Sequence, residues 1–155
     1  MSETVTFEHF DAEWPKKVLH KRGRSGIDAY LGIVATEFTA GRLVAGFDVT
    51  DELVTMIGNI HGGCVSALVD HVLGVVMYPV MPPRSWAATT EFKINLLAPV
   101  SGGRVEATAE VVSMSRRLAV IKVEVVNRWT DDTGGERTRL VALAQGTSTI
   151  VAPRE

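Results

Sequence analysis

The residues best equipped to do chemistry lie together in the middle of the chain. The run Gly58-Asn59-Ile60-His61-Gly62-Gly63 leads directly into Cys64-Val65-Ser66-Ala67-Leu68-Val69-Asp70-His71-Val72-Leu73-Gly74-Val75-Val76-Met77. A glycine pair thus opens an apolar helix. Glycines at a helix start leave backbone N–H groups bare and open to a ligand oxygen, at the positive end of the helix dipole. Such an end suits an oxygen that gains negative charge during reaction. Asp70 is the other half of the pattern, because a carboxylate on so apolar a segment costs free energy unless it is paired or used. The two together read as an electrophile-binding helix end plus a catalytic acid or base.

Spacing adds a condition. Asp70 lies eight residues beyond Gly62, about 12 Å along a helix axis. A reacting carbonyl needs both its oxygen donors and its acid or base at about 3 Å. One copy of the helix therefore cannot bring both groups to one substrate. Two antiparallel copies related by a twofold axis can, twice over. If both groups are catalytic, the expectation is a homodimer with two shared sites.

Blander readings compete with these. Asp70 could be a structural acid bonded inside the fold, and the glycines could serve only close packing at a dimer seam. His61 reads equally as a loop-fixing cap or a substrate contact. His71 sits about 100° around the helix from Asp70 and reads as a packing residue. Cys64, the single cysteine, reads as a small buried apolar residue. Metal-ligand spacing is absent, so no metal is expected. The chain has no Gly-x-Ser-x-Gly elbow, Walker loop or dinucleotide fingerprint.

The chain must bury this helix in something. Its 155 residues, 46% hydrophobic, suit one domain with a proper core. A formal charge of −2 speaks against nucleic acid as a partner. One cysteine suggests a reducing compartment, and the opening residues lack the pattern of a signal peptide. The stretch from Cys64 to Pro83 is interrupted by Asp70, His71 and Pro79, and reads as too broken to span a bilayer. A cytoplasmic protein is expected.

Residues 1–29 read as an amphipathic lead-in helix and loop, with Phe7, Phe10, Trp14, Val18 and Leu19 near helical spacing. Strands are expected at 30–39 and 42–49, the apolar helix at about 62–78 before the prolines, and further strands at 87–97, 103–114, 118–127 and 139–150. A helix apolar nearly all round must be buried on most sides. The fold class is therefore α+β: a curved antiparallel sheet wrapped around a long central helix, with residues 30–155 as its domain.

These residues resemble the hotdog-fold acyl-CoA thioesterases, of the phenylacetate-degradation type and its relatives. The resemblance rests on His61-Gly62-Gly63, on Asp70 nine residues after the histidine, on the order of elements over roughly residues 30–150, and on Leu97-Ala98-Pro99 ending a strand. It implies an enzyme that hydrolyses an acyl-CoA, with coenzyme A as part of the substrate and no separate cofactor. It further implies a homodimer or homotetramer. In the implied roles, the Gly62 N–H polarises the thioester carbonyl and Asp70 of the partner chain is nucleophile or general base. Thr89 helps position water, and His61 fixes the loop or binds the thioester side. Asn59, Gly63, Thr90, Arg116 and Arg117 contact the substrate, the two arginines at the coenzyme A phosphates. The chain departs from many relatives at Thr55, where they carry asparagine, and at Gly74, where some carry threonine. Two rivals stand beside this reading: an acyl-thioester binding module without turnover, and a hotdog enoyl hydratase or dehydratase.

Overall fold

The computed structural model describes residues 5–153. In chain order the elements are α1 (Glu13–Val18), α2 (Gly26–Leu31), β1 (Val34–Thr39), β2 (Arg42–Asp48), α3 (Gly62–Val75), β3 (Trp86–Leu96), β4 (Arg104–Met114), β5 (Leu118–Thr130) and β6 (Glu136–Val151). The strands form one antiparallel sheet in the order β1-β2-β4-β5-β6-β3, curved around α3. This is the α+β architecture expected from the sequence.

Alternation builds the concave face. Along β4, Val105, Ala107, Ala109 and Val111 are buried, and along β5 so are Ala119, Ile121, Val123 and Val125. Each strand therefore turns one face to α3 and one to water. From the helix, Val65, Leu68, Val69, Val72 and Leu73 complete the core. Burial of such aliphatic side chains contributes about 1.5–3 kcal/mol each, so this seam fixes the position of α3.

The last turn of α3 is held closely. A Cβ at Gly146 would lie 2.8 Å from Leu73 Cδ1 and 2.7 Å from Phe92 Cβ, so only glycine admits this approach of helix and sheet. Next to it, the buried Ser148 hydroxyl donates to the Leu73 carbonyl at 3.0 Å. The helix ends at Val75, short of the expected 78, and Tyr78–Val80 forms a 3-10 turn.

Two expectations need correction. The lead-in is two short helices rather than one, and α2 takes up Tyr30 and Leu31, which had been assigned to the first strand. Leu31 is buried, so α2 owes its place to tertiary packing. Second, α3 is less enclosed than burial on most sides implies: Gly63 and Asp70 are exposed, and Ser66, Ala67, His71 and Gly74 only half-buried. The 19 residues Gly62–Val80 are long and apolar enough to cross a membrane by length and composition alone. Half of that stretch is buried against the sheet, and this packing accounts for its apolarity.

Candidate active site

His61 starts α3. Its backbone is extended and its Nδ1 accepts from the Gly63 N–H at 2.8 Å, while its carbonyl accepts from the Cys64 N–H. A neutral ring that accepts at Nδ1 carries its proton on Nε2. The cap also explains Gly63, where a Cβ would come within 2.8 Å of the imidazole Nδ1. The Gly63 N–H is thus consumed within the protein and is not offered to a ligand. The Gly62 N–H has no acceptor among the described residues. Only one of the two glycines thus presents the free donor that the sequence suggested.

Gly62 opens into a cavity of about 260 Å³ lined by Asn59, Ile60, Val65 and the segment Leu96-Leu97-Ala98-Pro99-Val100. The loop before it is tied down: the Asn59 carbonyl accepts from both the N–H and the hydroxyl of Thr55, and the Asn59 amide donates to the Ile60 carbonyl at 3.1 Å. On the far wall, Arg139 hydrogen-bonds the Pro99 carbonyl and stacks over Trp129.

Asp70 belongs to a different cavity. One of about 380 Å³ is lined by Asp28, Asp70, His71, Gly74, Val75, Tyr78, Ala87 and Thr89. It shares no lining residue with the first. Asp70 is exposed in the single chain and has no hydrogen-bond or ion-pair partner among the described residues. The expectation of an acid costly to hold on an apolar helix therefore does not apply to the isolated chain, because Asp70 lies on the open face of α3.

Thr89 pairs with Ser148 across β3 and β6. Directly opposed residues share a face, and Ser148 points at α3, so Thr89 faces the Asp70 cavity. Thr90 does not. A register shift follows Thr89, and the Thr90 hydroxyl lies 2.6 Å from that of Thr149, on the other face of the sheet. Its expected place among the substrate contacts is not supported by this orientation.

Arg116 and Arg117 form the exposed tip of the β4–β5 turn, in which the Ser115 hydroxyl oxygen accepts from the N–H groups of Arg117 and Leu118. The Arg117 carbonyl accepts from Ile150, and Leu118 pairs with Thr149, so the turn lies at the Thr89 end of the sheet. Neither guanidinium has an ion-pair partner among the described residues. Burial pushes the Cys64 thiol up from its ordinary value.

Sequence reasoning missed Asp28 and Tyr78 and assigned His71 to packing. In the structure, His71 Nδ1 lies 3.1 Å from Asp28 Oδ1, which draws α2 onto α3. Tyr78 stacks on Trp14 with ring centroids 4.7 Å apart. No periodicity links residue 28 to residue 71, so nothing local in the sequence pointed to this cluster.

The chain is similar in sequence and fold to known proteins. The family model of the Thioesterase superfamily matches residues 57–131. The chain is 26% identical over 102 residues to a 1,4-dihydroxy-2-naphthoyl-CoA hydrolase of Listeria monocytogenes, spanning 66% of this chain and 83% of that protein. A thioesterase family protein from Silicibacter pomeroyi superposes with a TM-score of 0.75 at 28% identity, over 84% of this chain and 92% of that one. The PaaI protein of the E. coli phenylacetic acid degradation operon has the same fold, with a TM-score of 0.70 at 23% identity over 83% and 86% of the two chains.

Proposed function

The chain belongs to the thioesterase superfamily and has its hotdog fold, and from that footing we propose that it hydrolyses an acyl-CoA thioester, R–CO–S–CoA + H2O giving R–COOH and HS–CoA. One observation carries the reading: the Gly62 N–H and the Asp70 carboxylate, both without a partner among the described residues, open into two separate cavities of one chain. Two chains joined by a twofold axis unite them. The outer edge of β3 is unpaired and exposes Trp86 and Leu96, and the open face of α3 is built largely from small residues. Both features suit a second copy of the chain at this side.

In the united site the Gly62 N–H of one protomer donates to the thioester oxygen and holds the charge that develops there. Asp70 of its mate attacks the acyl carbon or takes a proton from attacking water, with the Thr89 hydroxyl beside it. His61 keeps the helix start in shape. Arg116 and Arg117, which have no ion-pair partner among the described residues, offer guanidinium groups for the phosphates of coenzyme A.

A panel of acyl-CoAs mixed with a thiol-reactive dye tests this. Steady release of thiol supports hydrolysis, and tight binding of an acyl-CoA without release would make the protein a carrier. A second reading, hydration of an enoyl thioester, draws on the Asp28–His71 contact as an acid–base pair. A fall in enoyl absorbance on adding an unsaturated acyl-CoA would replace hydrolysis with it.

A further inference from the structure

Between Glu13 and Asp28 the chain carries Lys16, Lys17, Lys21, Arg22 and Arg24 and no acid, in a protein whose formal charge is −2. Lys16 is ion-paired to Glu13. The other four cations are exposed and have no ion-pair partner among the described residues. The chemistry at Gly62 and Asp70 makes no use of them. From this basic loop and the apolar face of α2 beside it we infer that the protein docks on the surface of an anionic lipid bilayer.

The loop is built onto its neighbours. At its start Leu19 bridges Ala35 of β1, and the His20 N–H donates to the Ala35 carbonyl at 2.9 Å. Further on it lies against α2. A Cβ at Gly23 would come 3.2 Å from Asp28 Cβ, and one at Gly32 would come 2.5 Å from Arg22 Nη2. The Arg22 guanidinium thus sits at the C-terminal end of α2, where a cation suits the unbonded carbonyls. Arg24 stands two residues before Gly26, the first residue of the helix. Six helical residues span about 9 Å, so these cations flank whatever α2 presents to solvent.

What it presents is Ile27 and Tyr30, 58% and 65% exposed and neighbours on the helix surface at a spacing of three. Leu31 is buried and Asp28 turns toward His71, 3.1 Å from its Nδ1. An aliphatic and a tyrosine side chain flanked by cations match the headgroup boundary of an anionic leaflet. The apolar groups enter the interface while lysine and arginine stay with the phosphates. Asp28 of the same helix lines the Asp70 cavity, so docking through α2 brings a wall of that cavity to the lipid surface.

Cosedimentation with vesicles reads the docking without catalysis. Phosphatidylcholine vesicles containing about one-third phosphatidylserine are compared with phosphatidylcholine alone. The wild-type protein should partition at least about tenfold more strongly onto the anionic vesicles and lose most of that advantage at high salt. Lys21→Gln with Arg24→Gln should cut the partition about tenfold or more, whereas Lys21→Arg with Arg24→Lys, which keeps the charge, should bind as wild type. Ile27→Ser with Tyr30→Ser should weaken binding as well, with the oligomer mass unchanged. Absent or equal partition onto the two kinds of vesicle would overturn the docking, as would anionic binding untouched by both the charge-removing and the apolar-face variants. Dissociation of subunits by Ile27→Ser with Tyr30→Ser would overturn it too, by giving that face to a second copy of the chain. All three results leave the thioesterase reading standing, since thiol release measures that separately.

Discussion

Replacing Gly62 by proline exchanges the donor N–H at the helix start for a ring methylene. Gly62 is the first residue of α3, where proline is favoured because its missing N–H is one of the helix's unbonded donors. The preceding residue must be extended, and His61 already is, at φ −64° and ψ 137°. The added Cβ would lie 2.6 Å from Leu96 Cδ1, the end of a flexible side chain that is 54% exposed in the single chain. Gly62→Ala adds the same Cβ and keeps the N–H, so the ratio of the two variants reports the loss of the donor together with the ring methylene that takes its place. Loss of one oxyanion donor costs about 10²–10³-fold in kcat, or about 2.7–4 kcal/mol. The assay is thiol release from a good acyl-CoA substrate, with thermal melts to establish that both variants fold alike. Gly62→Pro should fall at least about 10²-fold below Gly62→Ala. Equal activity in the two would refute the oxyanion role and return the glycine to packing.

Asp70→Asn should lose about 10²–10⁴-fold in hydrolysis, the scale of a positioned acid–base group, while its melting temperature stays close to wild type because the carboxylate has no partner in the single chain; full activity would remove Asp70 from the mechanism. The double change Arg116→Ala with Arg117→Ala should raise KM for coenzyme A esters more than for pantetheine esters of the same acyl group, and equal effects on both would discard the phosphate role. In the β5–β6 turn, the Thr133 hydroxyl, then the Gly135 N–H and the Arg137 guanidinium, hold the Asp131 carboxyl down from 3.8 to about 2. A carboxyl depressed on folding stabilises above its unfolded pKa and ceases to do so as pH falls through its folded one. Asp131→Ala should therefore melt below wild type at neutral pH, with the gap closing between about pH 4 and pH 2; a gap unchanged at acid pH would show that the turn does not depend on this charge.

The strands were legible because each buries one face, and Val105 to Val111 and Ala119 to Val125 carry the two-residue period that this requires. α2 was not. Its six residues have no period long enough to read, and its position depends on Leu31 burial and on His71, 40 residues beyond that leucine. The separation of Gly62 from Asp70 was legible as a helical distance, and their separate cavities match it. Which N–H remained free was not, since it depends on the His61 rotamer that claims Gly63. Thr89 and Thr90 were indistinguishable by type, and the pairing of Thr89 with Ser148, whose hydroxyl reaches α3, decides which one faces the helix. Apolarity around α3 overstated how many of its sides are buried, because small residues such as Gly63, Ala67 and Gly74 count as apolar while leaving a face open.

The claim that one chain's helix tip and another's carboxylate meet at a single substrate is tested by mixing two inactive proteins. Gly62→Pro and Asp70→Asn are dissociated, combined in equal amounts and reassociated, so that about half of the dimers are mixed. Each mixed dimer then holds one site with both groups intact, and the mixture should recover about a quarter of wild-type activity. A mixture no more active than its two components, with exchange of subunits established by mass, would contradict the shared site.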